Sequence, residues 1–84
     1  MPKEKHIVRG DEYREDGDTF GAKIRNHRMK LGYSQDYVAS KIGIHQSLLS
    51  TYEWDIHTPS LYIATCIADF YGLSLDYLAG RKVK

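Results

Sequence analysis

The stretch "SQDYVASKIGIHQSLLSTYE", residues 34–53, decides the fold. Ser34 is a helix-starting residue, because its side-chain oxygen can accept from a backbone N–H two or three positions on. Val38, Ala39 and Ile42 follow at spacings that place them on one helical face, so the first half reads as a helix over 35–42. Gly43 ends it, since glycine enters the left-handed backbone of a helix C-terminus without a Cβ clash. Gly43 and Ile44 then lead into a second periodic run, Gln46 to Trp54, that turns on Leu49 and Tyr52. Two short helices are therefore predicted, joined by a tight glycine turn, with the small Ala39 where they approach.

Working outward, Asp18 or Thr19 can cap an earlier helix that carries Phe20, Ile24 and Leu31 along one side and closes at Gly32. Downstream, Pro59 and Ser60 open a fourth helix over Leu61 to Tyr71, burying Ile63, Ala64, Ile67 and Ala68 or Phe70 before Gly72. A last short helix fits Ser74 to Ala79, with Asp76 in its first turn. No strand-like alternation, internal repeat or low-complexity tract interrupts this pattern. The expected fold is all-α, a compact bundle of four to five helices. Residues 1–18 have few large apolar side chains (Ile7, Val8, Tyr13) and read as a polar, flexible arm. The helical domain is expected over 19–80, followed by a basic tail at 81–84.

A chain of 84 residues can make one domain with a modest core, leaving no room for a second catalytic or effector domain. No apolar run approaches the ~20 residues of a membrane span, and the charged start lacks the apolar stretch of a signal peptide. A cytoplasmic protein with no membrane association is expected. Cys66 is the single cysteine, so an internal disulfide is excluded. His6, His27, His45, His57 and Cys66 show no metal-ligand spacing, and neither a glycine-rich phosphate loop nor a nucleophile elbow is present. We therefore expect no enzyme, no cofactor and no metal.

The formal net charge of +1 conceals an uneven distribution. Residues 1–18 carry Lys3, Lys5, Arg9 and Arg14 against Glu4, Asp11, Glu12, Glu15, Asp16 and Asp18. Residues 19–50 carry Lys23, Arg25, Arg28, Lys30 and Lys41 against Asp36 alone. A localised basic segment points to a polyanionic partner better than net charge does.

Two short helices with a glycine turn form the helix-turn-helix unit, whose second helix can enter the DNA major groove. From about Phe20 to Gly80 the chain resembles the helix-turn-helix domains of the phage-repressor (Cro/cI, or Xre) family. The resemblance rests on "SQDYVASKIGI", on "TPSLYIATCIADFYGLSLDYLAG" (residues 58–80) and on the Arg28/Glu53 pair. It implies a lambda-repressor-like DNA-binding domain in a sequence-specific, double-stranded-DNA-binding transcriptional regulator, a small dimeric repressor of phage or mobile-element type. The rival reading is a protein-interaction module, such as an antitoxin or a partner-dependent regulator.

Gln46, Ser47, Ser50 and Thr51 share a face of the second helix that carries no charge. Short polar groups can hydrogen-bond base edges, whereas glutamates there would repel the flanking phosphates. A glutamine paired with adenine N6 and N7 is worth about 1–3 kcal/mol of discrimination. The resemblance places these four residues at the family's base-reading positions. Gln35 opens the preceding helix, where backbone N–H groups and the helix dipole favour a phosphate. By resemblance, Gln35 contacts the DNA backbone and braces Gln46, while Arg28 and Glu53 form a structural ion pair. Arg25, Lys23 and Lys41 are further phosphate candidates, and Tyr37 offers a phosphate its hydroxyl or simply rests its ring on the surface. His45, Leu48, Trp54 and Asp55 depart from the family pattern. Leu73, Leu75, Tyr77 and Leu78 offer more apolar surface than a short terminal helix needs, and are expected to form part of a homodimer interface instead of only closing the core.

Overall fold

In the computed structural model the described residues are 18–80, so nearly all of the expected arm at 1–18 and the basic tail at 81–84 lie outside them. Five helices follow in order: α1 (Phe20–Leu31), α2 (Gln35–Ile42), α3 (Gln46–Glu53), α4 (Leu61–Tyr71) and α5 (Leu75–Ala79). Four of them start on a hydroxyl. Thr19, Ser34, Ser60 and Ser74 accept from the backbone N–H of Ala22, Tyr37, Ile63 and Tyr77. The same four helices end at Gly32, Gly43, Gly72 and Gly80, each with left-handed backbone. At Gly43 this conformation turns the chain out of α2, and its N–H returns to the Ala39 carbonyl.

The apolar faces of all five helices meet in one core of Ile24, Val38, Ala39, Leu49, Tyr52, Ile67, Ala68, Tyr71 and Leu78. Burial pushes the Tyr71 phenol up from its ordinary pKa, and its hydroxyl has no hydrogen-bond partner among the described residues. Two expectations are corrected here. Leu31, expected on the buried side of α1, is 45% exposed, because the helix ends there against solvent. Leu78, expected at a dimer interface, is 1% exposed and belongs to the core. Leu73 and Leu75 are half-buried against that core, which leaves Tyr77 as the exposed member of the group. Ile63, Ala64 and Phe70 are half-buried, while Tyr71 takes the inward position at the end of α4.

Helix α1 crosses α3 at Gly21. A Cβ there would stand 2.3 Å from the Tyr52 carbonyl oxygen and 2.7 Å from that of Glu53. Both distances are far inside van der Waals contact, so only glycine permits the two backbones to approach this closely. No helix among the described residues is long and apolar enough to cross a membrane.

Candidate nucleic-acid interface

Glu53, the last residue of α3, is fully buried. Its Oε2 accepts from Arg28 Nε at 2.7 Å, and its Oε1 from Arg28 Nη2 at 3.1 Å, so the guanidinium of α1 meets the carboxylate as a fork. The sequence-predicted pair is thus present. Arg25 joins it, donating from Nη1 to Glu53 Oε1 at 2.9 Å. Arg28 also donates to the Tyr33 carbonyl at 2.7 Å, which fastens the end of α1. Removing water from one carboxylate and two guanidiniums is costly, and this geometry repays the cost only while all three remain in place.

The expectation that Arg25 meets a phosphate fails. Its side chain is wholly buried, and the indole of Trp54 covers its guanidinium carbon at 4.4 Å. Arg25 lies one helical turn before Arg28, which is the sequence signal that both arginines face the same carboxylate. Lys23 is also engaged elsewhere. Its Nζ donates to the Tyr77 carbonyl at 2.6 Å and lies over the Tyr77 ring, joining α1 to α5.

From this buried cluster a polar chain runs to the surface. Gln35, at the start of α2, donates from Nε2 to Glu53 Oε1 at 3.0 Å, and its Oε1 accepts from Nε2 of Gln46, the first residue of α3. The brace between Gln35 and Gln46 implied by the resemblance is therefore formed. Gln46 and Ser47 are exposed, and Ser50 and Thr51 are half-buried on the same side of α3. The Thr51 hydroxyl donates to the Leu48 carbonyl at 2.7 Å, so it is engaged within α3 itself. Leu48, half-buried against the core, also lines an open groove with Gly43, Ile44, His45, Ser47, Thr51 and His57. Beside this surface, Tyr37 is 43% exposed with its ring tilted against Tyr33, and the exposed Lys41 places Nζ 5.5 Å from the Tyr37 ring centroid.

One positioning residue had no periodic signal in the sequence. Asp55 follows α3 with φ 59, a left-handed conformation that aspartate adopts at some cost. Its carboxylate accepts from the Gly21 N–H at 2.9 Å and from the Thr19 hydroxyl at 2.6 Å. The loop leaving α3 therefore caps the start of α1, 34 residues earlier in the chain. Among the described residues no group of histidine, cysteine and acidic side chains could hold a metal ion.

A family profile described as helix-turn-helix matches residues 24–78, which take in α2, the glycine turn and α3. The chain belongs to the helix-turn-helix family, phage-repressor type. This helix-turn-helix protein is 33% identical over 63 residues to the HTH-type transcriptional regulator ImmR of Bacillus subtilis. That match covers 75% of this chain and 50% of ImmR, so the chain spans about half the length of that curated relative. Among solved structures, the P22 c2 repressor in complex with a synthetic operator superposes with a TM-score of 0.71 at 25% identity, over 74% of this chain and 96% of that one. SinR, a Bacillus subtilis protein solved in complex with DNA, superposes with a TM-score of 0.65 at 30% identity, over 71% of this chain and 97% of that one.

Proposed function

We propose that this helix-turn-helix protein is a sequence-specific, double-stranded-DNA-binding transcriptional regulator, acting in the cytoplasm as a small dimeric repressor. The observation that carries the reading is the uncharged, outward face of α3, whose first residue is held in position by Gln35. The DNA complexes of SinR and of the P22 c2 repressor support the same use of the domain.

Gln46 pairs with adenine in this reading, and Ser47 and Ser50 bond neighbouring base edges. The Thr51 methyl meets a thymine methyl. Gln35, Tyr37 and Lys41 contact phosphates on either side. These contacts dominate affinity and make it strongly salt-dependent, while the α3 face supplies the sequence choice. A single domain makes few base contacts. Tight binding therefore calls for two copies on a two-fold site, with half-sites about 34 Å apart, and Leu73, Leu75 and Tyr77 border the surface through which the copies meet.

The test is selection of duplexes from a random DNA pool by the purified protein and by Gln46→Ala. The expected result is a two-fold site whose preference relaxes at one base pair per half-site in the variant, by about 1–3 kcal/mol. Absence of any enriched sequence, with equal salt-sensitive binding by both proteins, would refute the assignment. Equilibrium sedimentation of the protein on the selected duplex tests the dimer. One copy per site would refute it.

A further inference from the structure

Gln35 and Gln46 are connected in series to a group that can only accept hydrogen bonds. A glutamine amide has a donor end and an acceptor end of nearly the same shape, so a free side chain can present either one. Glu53 removes that freedom. Its ionised carboxylate has no hydrogen to give, so Gln35 must turn its nitrogen inward, where Nε2 donates to Oε1 at 3.0 Å. The carbonyl oxygen of Gln35 is thereby directed at Gln46, and Gln46 must answer with its own nitrogen. The carboxylate itself cannot swing away, because Arg28 engages both its oxygens and Arg25 engages one.

We propose that Glu53, acting through Gln35, is a positioning residue that sets the polarity of the Gln46 amide, so that the base opposite Gln46 is selected as adenine and guanine is rejected. This rests on the reading of α3 as the base-contacting helix. With one Nε2 hydrogen committed to Gln35, Gln46 retains a second N–H and its Oε1 for a partner. Adenine offers N7 as acceptor and the N6 amino group as donor, and matches both. Guanine offers two acceptors, N7 and O6, so Oε1 of Gln46 meets O6 oxygen to oxygen. Turning the amide over would satisfy guanine but would set the Gln46 and Gln35 oxygens against each other. The specificity of an exposed side chain is thus determined by a carboxylate that is itself sealed from solvent and makes no contact with the base.

The test uses the full chain and the duplex it enriches, with the base pair recognised by Gln46 changed from adenine to guanine. The wild type should favour adenine roughly tenfold. Gln35→Glu still presents an acceptor to Gln46 but has no hydrogen for Glu53, so it should be less stable while the adenine preference of its folded form stays within about twofold of wild type. Gln35→Lys presents only donors, so Gln46 should turn its Oε1 inward, direct both N–H groups at the base and change the preference to guanine. Gln35→Met, with neither donor nor acceptor, should flatten the preference to about twofold and provides a milder variant should either charged one fail to fold. A phosphate contact or a general packing role for Gln35 alters affinity for both duplexes together and cancels in the ratio. An unchanged ratio in Gln35→Lys and Gln35→Met would therefore overturn the proposal.

The side-chain amide signals of Gln46 in the free protein provide a measurement that needs no DNA. In the wild type the Nε2 hydrogen committed to Gln35 is expected to be shifted and exchange-protected relative to its partner on the same nitrogen, and in Gln35→Met both hydrogens should show solvent-like shifts and exchange. Solvent-like signals in the wild type would overturn the relay. Failure of the DNA pool to enrich any sequence would count against the DNA-binding reading and leave this spectroscopic result standing.

Discussion

Helices α1, α2, α4 and α5 carry their own start and stop signals, whereas α3 carries neither. Each of the four has a hydroxyl at its beginning and a left-handed glycine at its end. The start of α3 is His45, which makes no side-chain cap bond, and the helix runs out into Trp54 and the positive-φ Asp55. Its last turn is instead held from outside, by Arg25 and Arg28 on Glu53 and by the closure of Asp55 onto Thr19 and Gly21. The four locally signalled helices make a frame, and α3 is clamped into it through α1. For a helix proposed to press its outer face into a groove this arrangement has a clear advantage. The position of that face is set by rigid neighbours and not by the helix's own tendency to persist.

The greatest damage to this clamp should come from Glu53→Ala, which leaves two buried guanidiniums without their carboxylate. We expect a loss of about 3–5 kcal/mol in urea denaturation. A loss below about 1 kcal/mol would mean that solvent screens the cluster. Asp55→Ala comes next, removing two bonds that join the α3 exit to the α1 start while keeping the unfavourable backbone conformation, at about 1–2 kcal/mol. Ser60→Ala, the purely local equivalent at α4, should cost about 1 kcal/mol and leave DNA affinity untouched, whereas Asp55→Ala should weaken binding as well. Equal effects of the two substitutions on binding would dissolve the distinction between local capping and clamping. The smallest effect is a gain. His45→Ser supplies the missing cap and should stabilise the fold by about 0.5–1 kcal/mol, visible as a raised melting temperature. No gain would indicate that the Leu48 N–H, which donates to the His45 carbonyl at 3.1 Å, needs no further acceptor.

The same contrast explains how much could be read from the sequence. Ser34, Ser60, Ser74, Thr19 and the glycines act over a few residues, so the helix order and most boundaries followed from them. The Gln46 face was legible because four uncharged positions recur at helical spacing, and the Gln35 brace and the Arg28/Glu53 pair were legible through family resemblance. What escaped depends on contacts between distant segments. The charge of Arg25 points to a surface cation, because charge ordinarily signals exposure, yet a shared carboxylate and the Trp54 ring take it inside. Leu78 reads as surface for a second copy because a five-residue helix with so many apolar side chains looks over-supplied, but the core accepts it. Neither Asp55 nor Gly21 belongs to any periodic pattern. Their roles exist only once α1 lies across the end of α3.

The stacking of Trp54 on Arg25 has a practical corollary. Trp54 is the sole indole in the chain, and it sits 37% exposed directly over a guanidinium at the junction that holds α3. A positive charge over the ring and the change in its hydration when the junction opens both alter the excited state of the chromophore. The molecule therefore contains its own optical gauge. Intrinsic emission excited at the red edge of protein absorbance reports the integrity of the clamp directly, without a dye and without interference from the seven tyrosines.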